Sequence, residues 1–139
     1  MDTNGNIKKI LIRDLCSRLP YGMKCYIPEI NIVRTLGTVQ YDEENTLFDF
    51  WNETHTRYEH QLYLSEFKPY LFPLSSMTEE QKEEFNTQSL KLQLQVIDEE
   101  IMYEKATEFE VDFYNKHHLD WRGLIPMGLA IDATGLNIY

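Results

Sequence analysis

The spacing of hydrophobic and polar positions changes along the chain, and the first regular pattern is helical. Between residues 7 and 19, apolar side chains recur at intervals of three and four, and the opposing positions include Lys8, Lys9, Arg13 and Arg18. This spacing predicts an amphipathic helix over residues 7–19, ended by Pro20 and Gly22. The polar residues 1–6 are expected to form a disordered arm.

Four segments with strand character follow this helix. They are rich in alternating, β-branched or aromatic side chains and comprise residues 23–27, 31–41, 46–51 and 57–64. The connections between them are short and polar, which is typical of strands that run antiparallel to their neighbours. The pattern therefore predicts a four-stranded antiparallel meander.

The next segment combines prolines with large apolar side chains. Because proline cannot donate a backbone hydrogen bond, residues 67–73 are expected to form an extended segment over one edge of the sheet. Two nested capping boxes follow, Ser76 with Glu79 or Thr78 with Gln81, and they predict a short, mostly exposed helix over residues 78–86.

The second half of the chain returns to a two-residue period. Leucine and valine alternate with Lys and Gln over residues 90–96, which predicts a fifth strand, and residues 101–103 are a possible sixth after a reversal at 98–100. Thr107 and Glu110 form a second capping box for a helix that ends near His118.

This order of elements predicts an α+β fold. We expect one domain over residues 7–139, in which a curved antiparallel sheet, closing at most into a small open barrel, is flanked by about three helices. A chain of 139 residues is long enough to bury a single core without disulfides or metal ions.

Charge narrows the classes of partner. The chain carries a net charge of −10, of which residues 1–26 contribute +3 and the remainder −13. Such an acidic surface repels phosphate backbones and anionic lipids, so we expect neither direct nucleic-acid nor membrane binding and favour a protein partner. The absence of a long apolar stretch and the presence of only two cysteines, expected to be free buried thiols, predict a cytoplasmic protein.

One candidate binding site is the group His117, His118, Asp120, Trp121 and Arg122. A carboxylate beside imidazoles is a fragment of a catalytic site, but no nucleophile at a strained turn accompanies it. The adjacent histidines point about 100° apart on a helix and cannot share a metal ion. We therefore predict no catalytic residue, no metal site and no cofactor, and the alternative role of this group is a salt-bridged corner.

A second candidate is an aromatic interaction face, because rigid aromatic side chains are effective interface anchors. Its members would come from the third and fourth predicted strands: Phe48, Phe50, Trp51, Tyr58 and Tyr63. Core packing is the alternative role for at least half of them.

Four stretches, residues 14–22, 68–81, 117–125 and 128–133, resemble a group of short uncharacterised proteins of gut anaerobes and their phages. The resemblance implies an association with phages or mobile elements and carries no activity, cofactor or site residue. A non-enzymatic protein-interaction or regulatory module is therefore the first functional hypothesis. The alternatives are a small enzyme acting on an anionic small molecule, through the histidines with Asp120 and Arg122, and a nucleic-acid mimic.

Overall fold

The computed structural model describes residues 3–41, 45–95 and 99–139. Over these ranges its regular elements are three α-helices, six strands and three short 3₁₀ helices, which span Leu19–Tyr21, Leu64–Glu66 and Leu74–Ser76. The helices are α1 (Thr3–Arg18), α2 (Glu79–Gln95) and α3 (Glu99–Lys116). The strands are β1 (Lys24–Ile27), β2 (Ile32–Tyr41), β3 (Thr46–Trp51), β4 (Tyr58–Tyr63), β5 (Lys68–Leu71) and β6 (Ile131–Asp132).

The strands form one mixed sheet in the order β4-β3-β2-β1-β5-β6. All neighbours are antiparallel except β5 and β6, which run parallel. The sheet is not closed into a barrel. The α+β class and the four-stranded meander are confirmed.

The core lies between α1 and one face of the sheet. Leu11 and Leu15 of α1 join Phe48 and Phe50 of β3 in a single buried cluster. Phe67 packs edge-on against both β3 rings, at centroid distances of 5.1 and 4.9 Å. Aromatic pairs in this geometry add to the stability gained from burial alone.

The predicted fifth strand is wrong, because residues 90–95 belong to α2. Leucine, lysine and glutamine favour helices, and residues 90–95 contain no β-branched side chain. The half-buried positions Gln81, Phe85, Ser89 and Leu92 follow the helical period, whereas the local leucine alternation does not describe burial. Val96 lies outside the described residues.

The predicted sixth strand at residues 101–103 is also wrong, because α3 begins at Glu99, eight residues before the predicted start at Thr107. Part of the predicted reversal, Asp98, lies outside the described residues. The actual sixth strand is β6, which pairs with β5 through Tyr70 and Ile131. This pairing joins residues 61 positions apart in the sequence, which local periodicity cannot reveal.

Two further boundaries differ from the prediction. Residues 68–71 are an interior strand between β1 and β6 and do not cover an edge, and Pro69 pairs in register with Cys25. The helix α1 begins at Thr3, so the predicted arm is helical from that residue. Polar residues suit the first turn of a helix, because its N–H groups lack intrahelical acceptors.

The two cysteines were expected to be free buried thiols. Both are free and Cys25 is buried, but Cys16 is exposed on α1, so its predicted burial is wrong.

Candidate functional site

A fully buried ion pair lies beneath the corner that follows α3. Asp14 and Arg18, both on α1, have no exposed surface, and Arg18 Nε donates to Asp14 Oδ2 at 2.9 Å. Arg18 Nη2 also donates to the carbonyl oxygen of Leu119 at 2.7 Å. A charged pair needs such additional hydrogen bonds to offset its loss of hydration. The pair therefore fixes α1 to the corner.

Arg122 contributes a second guanidinium to this pair. Its Nε lies 3.2 Å from Asp14 Oδ1, which is an ion-pair contact without a hydrogen bond. The guanidinium also lies over the ring of Trp121, 4.2 Å from its centroid, and Trp121 Nε1 donates to Asn115 Oδ1 at 3.0 Å. Arg122 and Trp121 are both held by internal partners.

Asp120 does not pair with Arg122 or with either histidine. Its two carboxylate oxygens accept hydrogen bonds from the backbone N–H groups of Leu124 and Ile125, at 2.7 and 2.8 Å. The carboxylate thus satisfies a tight turn that would otherwise bury unpaired donors. Its contacts are those of a structural cap.

His118 and Tyr139 form a stacked pair beside the ion pair. Their ring centroids are 3.7 Å apart and their planes differ by 13°. Burial, together with the nearby charges of Arg18, His117 and Lys24, lowers the pKa of His118 to about 4. The imidazole is therefore neutral at physiological pH.

The hydroxyl of Tyr139 fastens the final segment of the sequence to the sheet. It accepts from the backbone N–H of Lys24 at 2.9 Å and donates to the carbonyl oxygen of Tyr70 at 2.8 Å. Lys24 Nζ donates to the carbonyl oxygen of Ile138 at 2.6 Å. Burial raises the pKa of the Tyr139 phenol. The final segment is thus tied to both β1 and β5.

His117 faces α2, away from His118. Its Nε2 lies 3.6 Å from Glu84 Oε2 and its ring packs against Phe113 at a centroid distance of 4.5 Å. Burial lowers the pKa of His117, and Glu84 opposes that shift. The two imidazoles therefore serve different contacts.

The five residues predicted as a binding group lie at one corner but do not converge on a common point. Each one contacts a different internal partner, as described above. Five surface cavities of 180 to 470 Å³ among the described residues are lined by other side chains. This geometry supports the salt-bridged corner, and a binding role for the group stays a prediction.

Sequence reasoning missed Asp14 and Arg18, although a signal was present. Both fall on the apolar side of the predicted helix, since Leu11, Leu15 and Arg18 are spaced by four and three. Opposite charges four residues apart on an apolar stripe indicate a buried pair, whereas Arg18 had been placed on the polar face.

The structure separates the five residues of the predicted aromatic face, and an interaction role for its exposed members stays a prediction. Phe48 and Phe50 are fully buried, because both point from β3 into the core, and their assignment to a face is wrong. Trp51 and Tyr58 pack together on the other side at 4.4 Å, with Tyr58 45% exposed. Tyr63 is 49% exposed but lies at the opposite end of β4. No continuous five-membered face exists among these residues.

The outer face of α2 carries exposed leucines beside exposed glutamates, and residues 79–95 have a net charge of −2. Residues 79–116 contain eleven Asp or Glu and four Lys, a net charge of −7 against −10 for the whole chain. Leu90 and Leu94 are 56% and 77% exposed. The helical period places Glu79 and Glu83 on the same face as these leucines, opposite the half-buried Phe85. We call Glu79, Glu83, Leu90 and Leu94 the outer face of α2.

Neither a metal-binding cluster nor a membrane-spanning helix is found within residues 3–41, 45–95 and 99–139. No cluster of three or more His, Cys, Asp or Glu side chains there could hold a metal ion. Over the same ranges, no helix has the length and apolar character needed to cross a membrane. Comparison with family models, curated proteins and solved structures found no match.

Proposed function

We propose that this protein is a non-enzymatic interaction module that binds a basic, amphipathic segment of a partner protein on the outer face of α2. The observation that carries the proposal is the alignment of exposed carboxylates and exposed leucines along one helix face. Large apolar side chains that stay exposed in one row mark interaction surfaces more often than isolated ones do.

The chemistry of the outer face indicates which kind of partner segment would fit it. From Glu79 to Leu94 the helix rises about 22 Å, at about 1.5 Å per residue. A partner helix of similar length would place Lys or Arg side chains against Glu79 and Glu83, and apolar side chains against Leu90 and Leu94. The net charge of −7 on residues 79–116 would also accelerate association with a cationic segment.

The contacts at the corner support a non-enzymatic function. An enzyme using Arg122 to hold an anionic substrate would need that guanidinium free, but it lies against Asp14 and Trp121. An enzyme using Asp120 as a base or orienting group would need its oxygens free, but both accept backbone hydrogen bonds.

The test is binding of a synthetic helical peptide that carries lysines along half of one face and leucines along the other half. Fluorescence anisotropy should show binding that weakens as salt is raised, because exposed charges are screened. A peptide with glutamate in place of each lysine should not bind. Binding of both peptides alike, or of neither, would contradict the proposal.

Paired variants identify the surface. Burying one leucine contributes about 1.5 to 3 kcal/mol, so L90Q/L94Q should weaken binding at least about tenfold. Leu136, which is 51% exposed, gives the control L136Q, which should bind like the wild type.

Charge variants test the role of the glutamates. E79Q/E83Q should reduce the salt dependence of peptide affinity, and the charge-matched control E29Q/E59Q should reduce it less. If this protein instead competed with duplex DNA for binding to a cationic DNA-binding protein, that result would support nucleic-acid mimicry.

A further inference from the structure

A polar cavity opens where β2 changes its pairing partner. Residues 32–35 of β2 pair with β1, whereas its residues from Leu36 onward pair with β3, with a register shift at Gly37. The loop between β3 and β4 lies beside this divergence, and the cavity encloses about 330 Å³. Its charged and polar lining includes Lys24, Arg34, Asn52, Glu53, His55 and Asn137.

Arg34 has more hydrogen-bond donors than its protein partners use. Its Nη1 donates to the carbonyl oxygen of Val33 at 2.9 Å, and Nη2 lies 3.6 Å from Glu53 Oε1. The Glu53 side chain is 79% exposed, so it can turn away into solvent. Arg34 Nε is buried and has no hydrogen-bond partner among the described residues. A guanidinium with five N–H donors can therefore donate hydrogen bonds to a further anionic oxygen group.

Lys24 provides a second positive charge in the cavity wall. Its ammonium donates to the carbonyl oxygen of Ile138 and lies 5.8 Å from the centroid of the Tyr139 ring. These contacts are with a neutral acceptor and a ring, so they leave the charge of Lys24 uncompensated. In a protein of net charge −10, two cationic groups beside one exposed carboxylate form a locally positive site.

The opposite wall is held in place before any ligand arrives. Asn52 Oδ1 accepts from the backbone N–H of Thr56, and Asn52 Nδ2 donates to Thr56 Oγ1, both at 2.9 Å. His55 has a φ of +55° and its ring is parallel to that of Trp51, at a centroid distance of 6.0 Å. A wall already ordered in the free protein reduces the entropy lost on binding.

We propose that this cavity binds a small organic or inorganic anion, with a carboxylate or phosphate group against Arg34 and Lys24. A volume of about 330 Å³ is at the lower end of the range for small-molecule sites, which indicates a compact metabolite. The amide of Asn137 and the imidazole of His55 would contact its remaining polar atoms. Glu53 competes with the ligand for Arg34 and thereby limits its affinity.

The test is an NMR titration of the protein with succinate and, separately, with inorganic phosphate, at constant ionic strength. We expect saturable shifts of the Thr35, Asn52 and His55 amides, and the stronger of the two ligands identifies the preferred anion. R34M should weaken binding at least about tenfold, a loss typical of a charge-assisted hydrogen bond. R57M, which removes the same charge from an exposed neighbour outside the cavity lining, should have little effect.

E53Q separates a binding site from a merely structural arginine. Removing the competing carboxylate should tighten binding by about two- to tenfold, whereas a structural role for Arg34 predicts no gain. If R34M does not fold, R34K keeps the charge without the planar fork and should still weaken binding. Absence of saturable shifts with both anions, or equal effects of R34M and R57M, would overturn the proposal. The result is independent of the outer face of α2, because L90Q/L94Q should leave it unchanged.

Discussion

Replacing either member of the buried Asp14–Arg18 pair should destabilise the protein far more than replacing both. D14L leaves the guanidinium of Arg18 without a carboxylate at a position that has no exposed surface. R18M leaves the carboxylate of Asp14 equally buried, with only the partly exposed Arg122 beside it. Each single substitution therefore creates a buried charge with reduced compensation.

The expected magnitudes follow from burial. Breaking a buried pair by removing one partner costs about 3 to 5 kcal/mol, so independent effects would sum to about 6 to 10 kcal/mol. The double variant D14L/R18M removes both fully buried charges and leaves the carbonyl oxygen of Leu119 without its donor, at about 1 to 3 kcal/mol. It also leaves the partly exposed guanidinium of Arg122 without Asp14, but its loss should stay well below the sum of the single losses. Domains of this kind are stable by about 5 to 15 kcal/mol, so the single variants lose a large share.

Urea denaturation followed by tryptophan fluorescence measures the free energy of unfolding of the wild type and of the three variants in this double-mutant cycle. The exposed pair Glu79–Lys82, at 3.2 Å, provides the control, and its variants should each change the free energy of unfolding by no more than about 1 kcal/mol. Additive losses in D14L/R18M, or single losses as small as those of the control, would refute the coupling.

Two further predictions concern His118 and Gly37. Burial lowers the pKa of His118 from 6.5 to about 4, so between these values the unfolded chain binds a proton that the folded protein does not. The free energy of unfolding should therefore fall as the pH is lowered from about 6.5 to about 4. H118N, which tolerates the φ of +58°, should flatten that fall in urea titrations, and an unchanged slope would contradict the assignment. A Cβ at Gly37 would overlap the ring of Tyr58, so G37A should destabilise by about 1 kcal/mol, and Y58A should remove most of that loss in the double variant.

The meander could be predicted from the sequence because its information is local. Strand β3 has the predicted bounds, and β1, β2 and β4 differ by one residue at the ends that differ. Each of these strands combines alternation or β-branched residues with a polar connection to the next, so pattern and turn chemistry agree. Agreement between independent local signals made these predictions correct.

The helix α2 could not be predicted over its full length, because two local signals disagreed. The alternation at Leu90, Leu92 and Leu94 indicated a strand, whereas the capping box at Thr78 and the high helix propensity of the following residues indicated a helix. In the structure Leu92 is half-buried against α3 while Leu90 and Leu94 are exposed. The alternation thus marks two helix faces, one for packing and one that we propose for binding.

The contacts at the corner give its unusual sequence motif a structural explanation. Buried polar groups require particular partners, so Asp120, Trp121 and Arg122 are specific because the fold needs each of their contacts. A docking face needs only exposed side chains of the right chemistry, which Leu90 and Leu94 supply without an unusual motif. The two roles therefore separate by experiment. Substitutions at the corner should lower the free energy of unfolding without selectively changing peptide or anion binding, whereas L90Q/L94Q and E53Q should alter binding with little effect on stability.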